Sequence, residues 1–391
     1  MFVLNENKLI LKELSYKVLH LPTTVGGNPQ GLSKHLIELG VVSKSLSIYQ
    51  NYFGYPADKI IANKSDNPFW IELKKIWVLN YVFQYDVIFF NYGRTLFYPL
   101  IISNNGKKKY LKLIFGSLYN VYNILMQKVE VFLLKLLNRK LFVQFQGDDA
   151  RQGDYCSANF PISIANQVGN DYYNRFSDSL KRKQIKLFEQ NCVKIYALNP
   201  DLLHVLPIDS EFLPYSHISL REWSPVYTQL EERPLRIGHA PTHRSVKGTD
   251  LIIKAVENLK EKGFNFEFVL VEGLSNVDAK EKYKTIDVLV DQLFAGWYGG
   301  LALEVMALGK PVIVYIREED LKFIPEGMKT DLPFFKTTPD DIELTIKYVL
   351  ELPRKNLLEV AKKSRDFVER WHDPLKIANR IKNDIENTLK K

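Results

Sequence analysis

Four groups of polar residues stand just after apolar, strand-like runs, and their types suit a sugar joined to a phosphate. In "GWYGGLALEVMALGKPVI", residues 296–313, Glu304 is the only charge in a helix-like apolar run opened by Gly299 and Gly300. A carboxylate in such surroundings is costly unless something hydrogen-bonds to it. Its partner is either a cationic side chain or a ligand's hydroxyls, with the glycine amides at the helix mouth turned to an anion. After "LRIGHA" (235–240) comes "PTHRSVKG" (241–248), which gathers His239, Thr242, His243, Arg244 and Lys247 around one helix start, a phosphate-site composition. After "LFVQF" (141–145) comes "QGDDARQGD", where Gln146, Asp148, Asp149 and Arg151 are either hydrogen-bonding groups for a polyol or a self-paired loop. In "PTTVGGNPQG" (22–31), Gly26 and Gly27 would let backbone approach a phosphate or sugar closely, unless they form an ordinary turn. For His239 a satisfied core histidine competes with a ligand contact, and for Arg244 and Lys247 an exposed basic loop competes with an anion site.

These groups need strands that end beside one another. Short apolar runs alternate with helix-like segments, as in parallel α/β sheets. "YKVLHL" (16–21), "YDVIFF" (85–90), "LFVQF" and "VKIYAL" (193–198) read as buried strands of a first half; "LRIGHA", "FEFVLVE" (266–272), "IDVLVD" (286–291) and "PVIVYI" (311–316) read as those of a second. The Pro-rich stretch 199–234 reads as the connection, and "GTDLIIKAVENLKEKG" as an amphipathic helix with Thr249 as N-cap and Gly263 closing it. In open α/β sheets ligands bind beyond the carboxyl ends of the strands, where all four groups lie.

With 391 residues the chain is long enough for two domains, and 46% hydrophobic with 13% aromatic residues excludes large-scale disorder. Cys156 and Cys192 have neither metal nor disulfide-framework spacing, so no metal site is expected and a reducing compartment is. The N-terminus lacks the layout of a signal peptide, and the longest uncharged stretch in the most apolar region, Leu113 to Gln127, is fifteen residues, too short to span a bilayer.

The stretch 296–313, together with the order of the other groups, resembles the signature of the family 4 glycosyltransferases, retaining enzymes of the GT-B fold, most strongly from Leu235 to Ile316. The resemblance implies an α/β fold of GT-B architecture, two Rossmann-like doubly wound parallel-sheet domains facing across a cleft. Residues 1–205 would bind the acceptor, 206–372 the nucleotide sugar, and a helix within 373–391 would cross back to the first domain. Glu304, at the second acid of the family's E-x7-E segment, would hold the donor ribose, with Gly299, Gly300, Leu301, His239, Thr242, Gly26 and Gly27 also on the donor. Arg244 and Lys247 would stabilise the departing diphosphate, and Asp149 would complete the catalytic set. Gln146, Asp148 and Arg151 would face the acceptor.

The sequence departs from the family at Gly296, where the first acid would stand, at Gln146, where a histidine would, and in the tight spacing of Arg244 and Lys247. Asp291 or Gln292 could replace the first acid. The implied reaction moves a sugar from a nucleoside diphosphate sugar to a glycan or lipid-linked acceptor with retention, in surface polysaccharide or glycolipid assembly, without a cofactor. A nucleotide-sugar 2-epimerase of the same fold and a donor-binding subunit without turnover are the alternatives.

The net charge of +8 and pI near 9.0 call for an anionic partner. No nucleic-acid module is evident, so nucleic acid is not expected. Between Asn105 and Lys140, eight basic residues stand against Glu130 alone, interleaved with apolar ones. This suits an anionic membrane surface, with Lys107, Lys108, Lys109 and Lys112 as contacts. The competing expectation is a helix whose apolar face is buried on the sheet and whose lysines are solvated. The resulting location is cytoplasmic, peripheral on the inner face of the plasma membrane.

Overall fold

The computed structural model describes residues 15–50, 54–100, 109–169, 172–227, 233–274 and 276–390. The apolar runs become strands because each is flanked by helices that cover both faces, so nearly every central residue is buried. Strands β1 (Lys17–Leu21), β2 (Val42–Ser47), β3 (Lys59–Ile60), β4 (Val87–Asn91), β5 (Lys140–Phe145), β6 (Lys194–Ala197) and β7 (Glu211–Phe212) form one sheet in the order β3-β2-β1-β4-β5-β6-β7. Strands β8 (Leu235–His239), β9 (Phe266–Leu270), β10 (Val288–Val290), β11 (Val312–Val314) and β12 (Phe335–Lys336) form the other, in the order β12-β11-β10-β8-β9. All pairings are parallel; Val18 of β1, for example, lies between Ser43 and Val87. The architecture is two doubly wound α/β domains facing across a cleft.

The helices of the first part are α1 (Asn28–Glu38), α2 (Pro68–Val82), α3 (Lys109–Leu136), α4 (Gly153–Asn159) and α5 (Arg175–Asn191). Those that follow are α6 (Arg244–Lys247), α7 (Thr249–Glu261), α8 (Asn276–Thr285), α9 (Gly300–Ala307), α10 (Glu326–Asp331), α11 (Ile342–Glu351), α12 (Arg354–Trp371) and α13 (Pro374–Leu389). Their starts follow from local chemistry. Asn67 and Asp373 each cap a helix whose first residue is proline, and Asn174 with Ser177 makes a reciprocal capping box for α5.

Two local expectations change. The N-cap of α7 is Gly248 in a left-handed conformation, because the hydroxyl of Thr249 is drawn inward to the ring of His239. The connection 199–234 is not wholly irregular: it lays β7 along the edge of the first sheet before reaching β8.

The chain ties its halves together at both ends of the cleft. Ile377, Ala378, Ile381 and Ile385 of α13 join Val18, Leu32 and Leu36 in the first domain's core, and Lys382 donates to the carbonyl of Leu39 at 3.0 Å. At the other end, Arg317 donates to the carbonyl of Ile162 at 2.9 Å and stacks 3.8 Å from the Phe160 ring centroid, while His204 meets Asp320 at 2.8 Å.

Candidate functional site

Between the two sheets lies a cleft of about 660 Å³, within the range of roughly 300–1,000 Å³ usual for small-molecule sites. Its walls come from the carboxyl ends of strands in both domains. Gly26 and Asn28 follow β1, Tyr92 follows β4, Gln146 follows β5, and Ala240 to Thr242 follow β8. Tyr215 and His217 come from the interdomain connection, and Lys247, Gly300, Leu301 and Glu304 from the helices α6 and α9.

Helix α9 is buried along its whole apolar run, which forces Glu304 inward. Among the described residues no arginine or lysine pairs with it; His217 Nε2 lies 3.8 Å away and Tyr55 donates a hydrogen bond. Burial pushes the Glu304 carboxyl up to about 8 and the His217 imidazole down to about 4, so both are neutral near pH 7 despite their proximity. Among the described residues, His217 Nδ1 is buried without a partner. The site therefore contains a protonated carboxyl able to donate and accept, beside an imidazole with an unused nitrogen.

On the opposite side of the helix mouth, Lys247 Nζ donates to Asp291 Oδ1 and Gln292 Oε1, both at 2.8 Å. Asp291 Oδ2 accepts the amide of Gly299 at 2.8 Å. Gly299's amide is thus engaged by protein, while Gly300 and Leu301, which line the cleft, open α9 before any intrahelical acceptor. Asp291 and Gln292 serve to hold Lys247.

The other expected residues are distributed as follows. Thr242 and Gly26 line the cleft. Gly26 and Gly27 both have positive φ, +64° and +72°, and Gly27 packs against His217 and Tyr55, where a Cβ would come within 3.2 Å. His239, expected on the donor, is instead held within the sheet, its ring bonded to the carbonyl of Val290 at 2.8 Å and to Thr249 Oγ1 at 2.9 Å. No ring nitrogen remains for a ligand. Arg244 is turned from Lys247 to the rim, where Nε and Nη2 grip Glu272 at 2.9 and 2.6 Å.

The "QGDDAR" turn is largely self-paired. Asp149 accepts the amides of Gln146 and Gly147, at 3.0 and 2.6 Å, and burial lifts its carboxyl to about 6. Asp148 accepts from Arg151 and from the hydroxyls of Tyr172 and Tyr173, and Arg151 continues to Asp201 at 2.7 Å. Of these four residues only Gln146 lines the main cleft, with its Oε1 buried and, among the described residues, without a partner. Asp148 and Asp149 line a second cavity of about 410 Å³, and Tyr92 lines both cavities.

Gly296 also has a structural reason. Its φ is +77°, and a Cβ there would lie 2.6 Å from Arg317 Nη1. The guanidinium that clamps the two domains occupies the space a side chain would need.

Sequence reasoning missed Tyr55, Tyr92, Tyr215, His217 and the base-sized apolar wall of Val271, Leu274, Ala279 and Tyr283. Tyr92 carried a usable signal, since it lies two residues beyond the predicted strand 85–90, whereas Val271 fell inside the predicted strand 266–272, which the structure ends at Leu270.

No family model and no curated protein matches the sequence. Solved structures do match over nearly the whole chain. Sucrose-phosphate synthase of Thermosynechococcus elongatus is similar at a TM-score of 0.60 and 13% identity, covering 96% of this chain and 99% of its own. HepE of Anabaena in complex with UDP-glucose is similar at 0.54 and 12%, covering 95% and 100%. A glycosyltransferase of Rickettsia africae is similar at 0.54 and 14%, covering 97% and 99%. With its two parallel sheets, its intervening cleft and its returning C-terminal helix, the chain has the GT-B fold.

Proposed function

We propose that the protein is a retaining glycosyltransferase that uses a nucleoside diphosphate sugar. The observation that carries this reading is the meeting of Glu304, Lys247 and the start of α9 in one cleft, where a buried carboxyl with no arginine or lysine partner among the described residues lies about a turn beyond a cation and a helix mouth. The base would lie against Val271, Leu274 and Ala279, and the ribose hydroxyls on Glu304. The diphosphate would lie at Lys247, Thr242 and the amides of Gly300 and Leu301. A protonated Glu304 suits a diol, because it can donate to one hydroxyl and accept from the other.

In this mechanism Lys247, already oriented by Asp291 and Gln292, stabilises the charge that grows on the leaving diphosphate. Closing the cleft around the donor excludes the water that would hydrolyse it. Gln146, with its unused carbonyl oxygen, faces the sugar from the first domain. Retention rests on the resemblance at residues 296–313, and the UDP-glucose held by the Anabaena relative is the kind of donor meant.

Titration with a panel of nucleoside diphosphates tests the site. The matching nucleotide should bind, and Lys247→Ala should weaken it roughly 10- to 100-fold, as for a charged hydrogen bond. Arg244→Ala, at the rim and paired to Glu272, should change it less than about threefold. If no nucleoside diphosphate binds, the donor assignment fails. Incubation with sugar nucleotide alone separates the 2-epimerase, which would yield an epimer without acceptor. An acceptor panel without turnover would favour the donor-binding subunit.

The proposal extends to a membrane surface as the source of a lipid-linked acceptor. The outward face of α3 is apolar: Phe115, Leu118, Val121, Leu125, Phe132 and Leu136 are each 60–69% exposed. Among the side chains described from residue 115 on, Lys128 and Lys135 are the charges exposed along it, and no acid is. Trp70 and Trp77 of the adjoining α2 are also exposed, and Tyr119 of α3 donates to Glu72 of α2 at 2.7 Å. Lysines flanking an apolar, tryptophan-bearing face fit the headgroup boundary of an anionic bilayer. Lys107 and Lys108 lie outside the described residues. No described helix is long and apolar enough to cross a membrane.

A further inference from the structure

The second cavity, of about 410 Å³, is bounded by Tyr92, Arg94, Tyr98, Asp148, Asp149 and Lys181, among others. Its entrance is built by a constrained turn. Tyr92 and Gly93 both have positive φ, +58° and +52°, and a Cβ on Gly93 would strike the Phe145 ring at 2.5 Å. A tyrosine in the left-handed region persists only where its surroundings hold it there, and such positions gather at functional sites. The turn places Tyr92 on the wall shared with the main cleft and Arg94 just behind it.

Hydrogen-bonding capacity around the cavity is unevenly spent. Both carboxylates are occupied: Asp148 accepts from Arg151, Tyr172 and Tyr173, and Asp149 from the Gln146 and Gly147 amides. Gln184 is paired with Gln127. Donors are what remain. Lys181 Nζ gives one hydrogen bond, to the carbonyl of Arg151 at 2.6 Å, and lies 4.4 Å from the Tyr173 ring centroid. Arg94 has its guanidinium carbon 4.8 Å from the Tyr92 centroid and 4.4 Å from that of Tyr98. Among the described residues it has no hydrogen-bond or ion-pair partner, although its charge is near enough to favour the ionised form of Asp149. A guanidinium beside two rings whose donors are unspent on protein acceptors can take an oxyanion bidentately.

We propose that this cavity receives an oxyanion of the acceptor, a phosphate or a carboxylate, on Arg94 with Lys181 behind it. The acceptor is then an anionic sugar or sugar phosphate, delivered to the donor cleft past Tyr92. This assignment rests on the glycosyl-transfer reading, but the binding of the oxyanion does not.

Calorimetric titration of the full chain with glucose 6-phosphate, glucuronate and glucose, each with and without saturating UDP, tests it. One or both anionic probes should bind at least roughly tenfold more tightly than glucose, with or without UDP. Arg94→Gln should weaken that binding roughly 10- to 100-fold and leave UDP affinity unchanged. Arg94→Lys, which keeps the charge but not the fork, should recover only part. Preference for glucose 6-phosphate names a phosphorylated acceptor, and preference for glucuronate an acidic sugar. Anionic probes no better than glucose, or binding undiminished in Arg94→Gln, would overturn the proposal. If Arg94 merely offsets the charge of Asp149, Arg94→Gln lowers the melting temperature, Asp149→Asn restores it, and probe binding does not move. Failure of UDP to bind while the anions still do would sink the donor assignment alone.

Discussion

Glu304 and His217 approach to 3.8 Å yet are not an ion pair at neutral pH, because burial holds the carboxyl at about 8 and the imidazole at about 4. Lys280 and Tyr55 also face Glu304, and both favour its ionised form without reversing the effect of burial. The consequence for stability has a definite sign. Between about pH 4.5 and 8 the folded state keeps a proton on Glu304 that the unfolded state has lost, so this group's contribution to stability falls as pH rises. Glu304→Gln removes that loss. Its melting temperature should match the unaltered protein near pH 4 and exceed it increasingly up to pH 8, by the equivalent of about 4 kcal/mol. Equal pH dependence of the two proteins would show that Glu304 is ionised when folded. The histidines act oppositely: His20, His217, His239 and His372 are all depressed by burial, to between about 3 and 4. At these four positions the unfolded chain binds more protons than the folded one below about pH 6.5, so their contribution to stability drops as pH falls through that range, which urea titration of the Glu304→Gln variant should show.

At the scale of elements, the segment from β10 to β11 shows how one chain position can serve packing in place of chemistry. Gly296 lets Arg317 lie flat across the turn, where it bonds Asp320 at 2.9 Å and reaches Ile162 and Phe160 of the first domain. Gly296→Glu therefore would not add a sugar contact. It would force a side chain into positive φ and displace the guanidinium, and a stability loss of about 2–4 kcal/mol in denaturant melts is expected. Unchanged stability with altered donor affinity would mean that the acid reaches the cleft after all.

Over the whole molecule, the distribution of apolar surface is uneven. The first domain buries one side of α2 and α3 and leaves the other, rich in Phe, Leu and Trp, open. The membrane reading makes this a docking face, and flotation with anionic vesicles checks it. Replacing Trp77 and Phe132 by Ser should reduce binding at least several-fold, since burying each large apolar side chain contributes up to about 2 kcal/mol, without lowering the melting temperature. Added salt should weaken binding through the lysines. Vesicle binding that is indifferent to both changes excludes this face, and concentration-dependent dimerisation abolished by the same substitutions would assign it to a second copy.

Much of this architecture was legible in local pattern. Eight strands announce themselves as apolar runs; for all but the half-exposed edge strand β9, the reason is that a strand covered on both faces has no polar alternation to hide it. Glu304 announces itself as a lone charge among Leu, Ala, Val and Met. Four other strands do not: β2, whose VSKSLS is mostly polar, and the short edge strands β3, β7 and β12, since two residues carry no period. Nor can a linear pattern say which partner a polar side chain finds. Arg244 and Lys247 are three residues apart, yet one goes to Glu272 and the other to Asp291, because the left-handed Gly248 and the ends of β9 and β10 set where each can reach. His239 faces the sheet rather than the cleft because the pleat and the hydroxyl of Thr249 claim it. The outward turn of α3's apolar face and the unspent donors of Arg94 belong to the same class. Periodicity and composition are properties of neighbours along the chain, whereas pairing, burial and leftover hydrogen-bonding capacity are set by contacts between residues far apart in sequence.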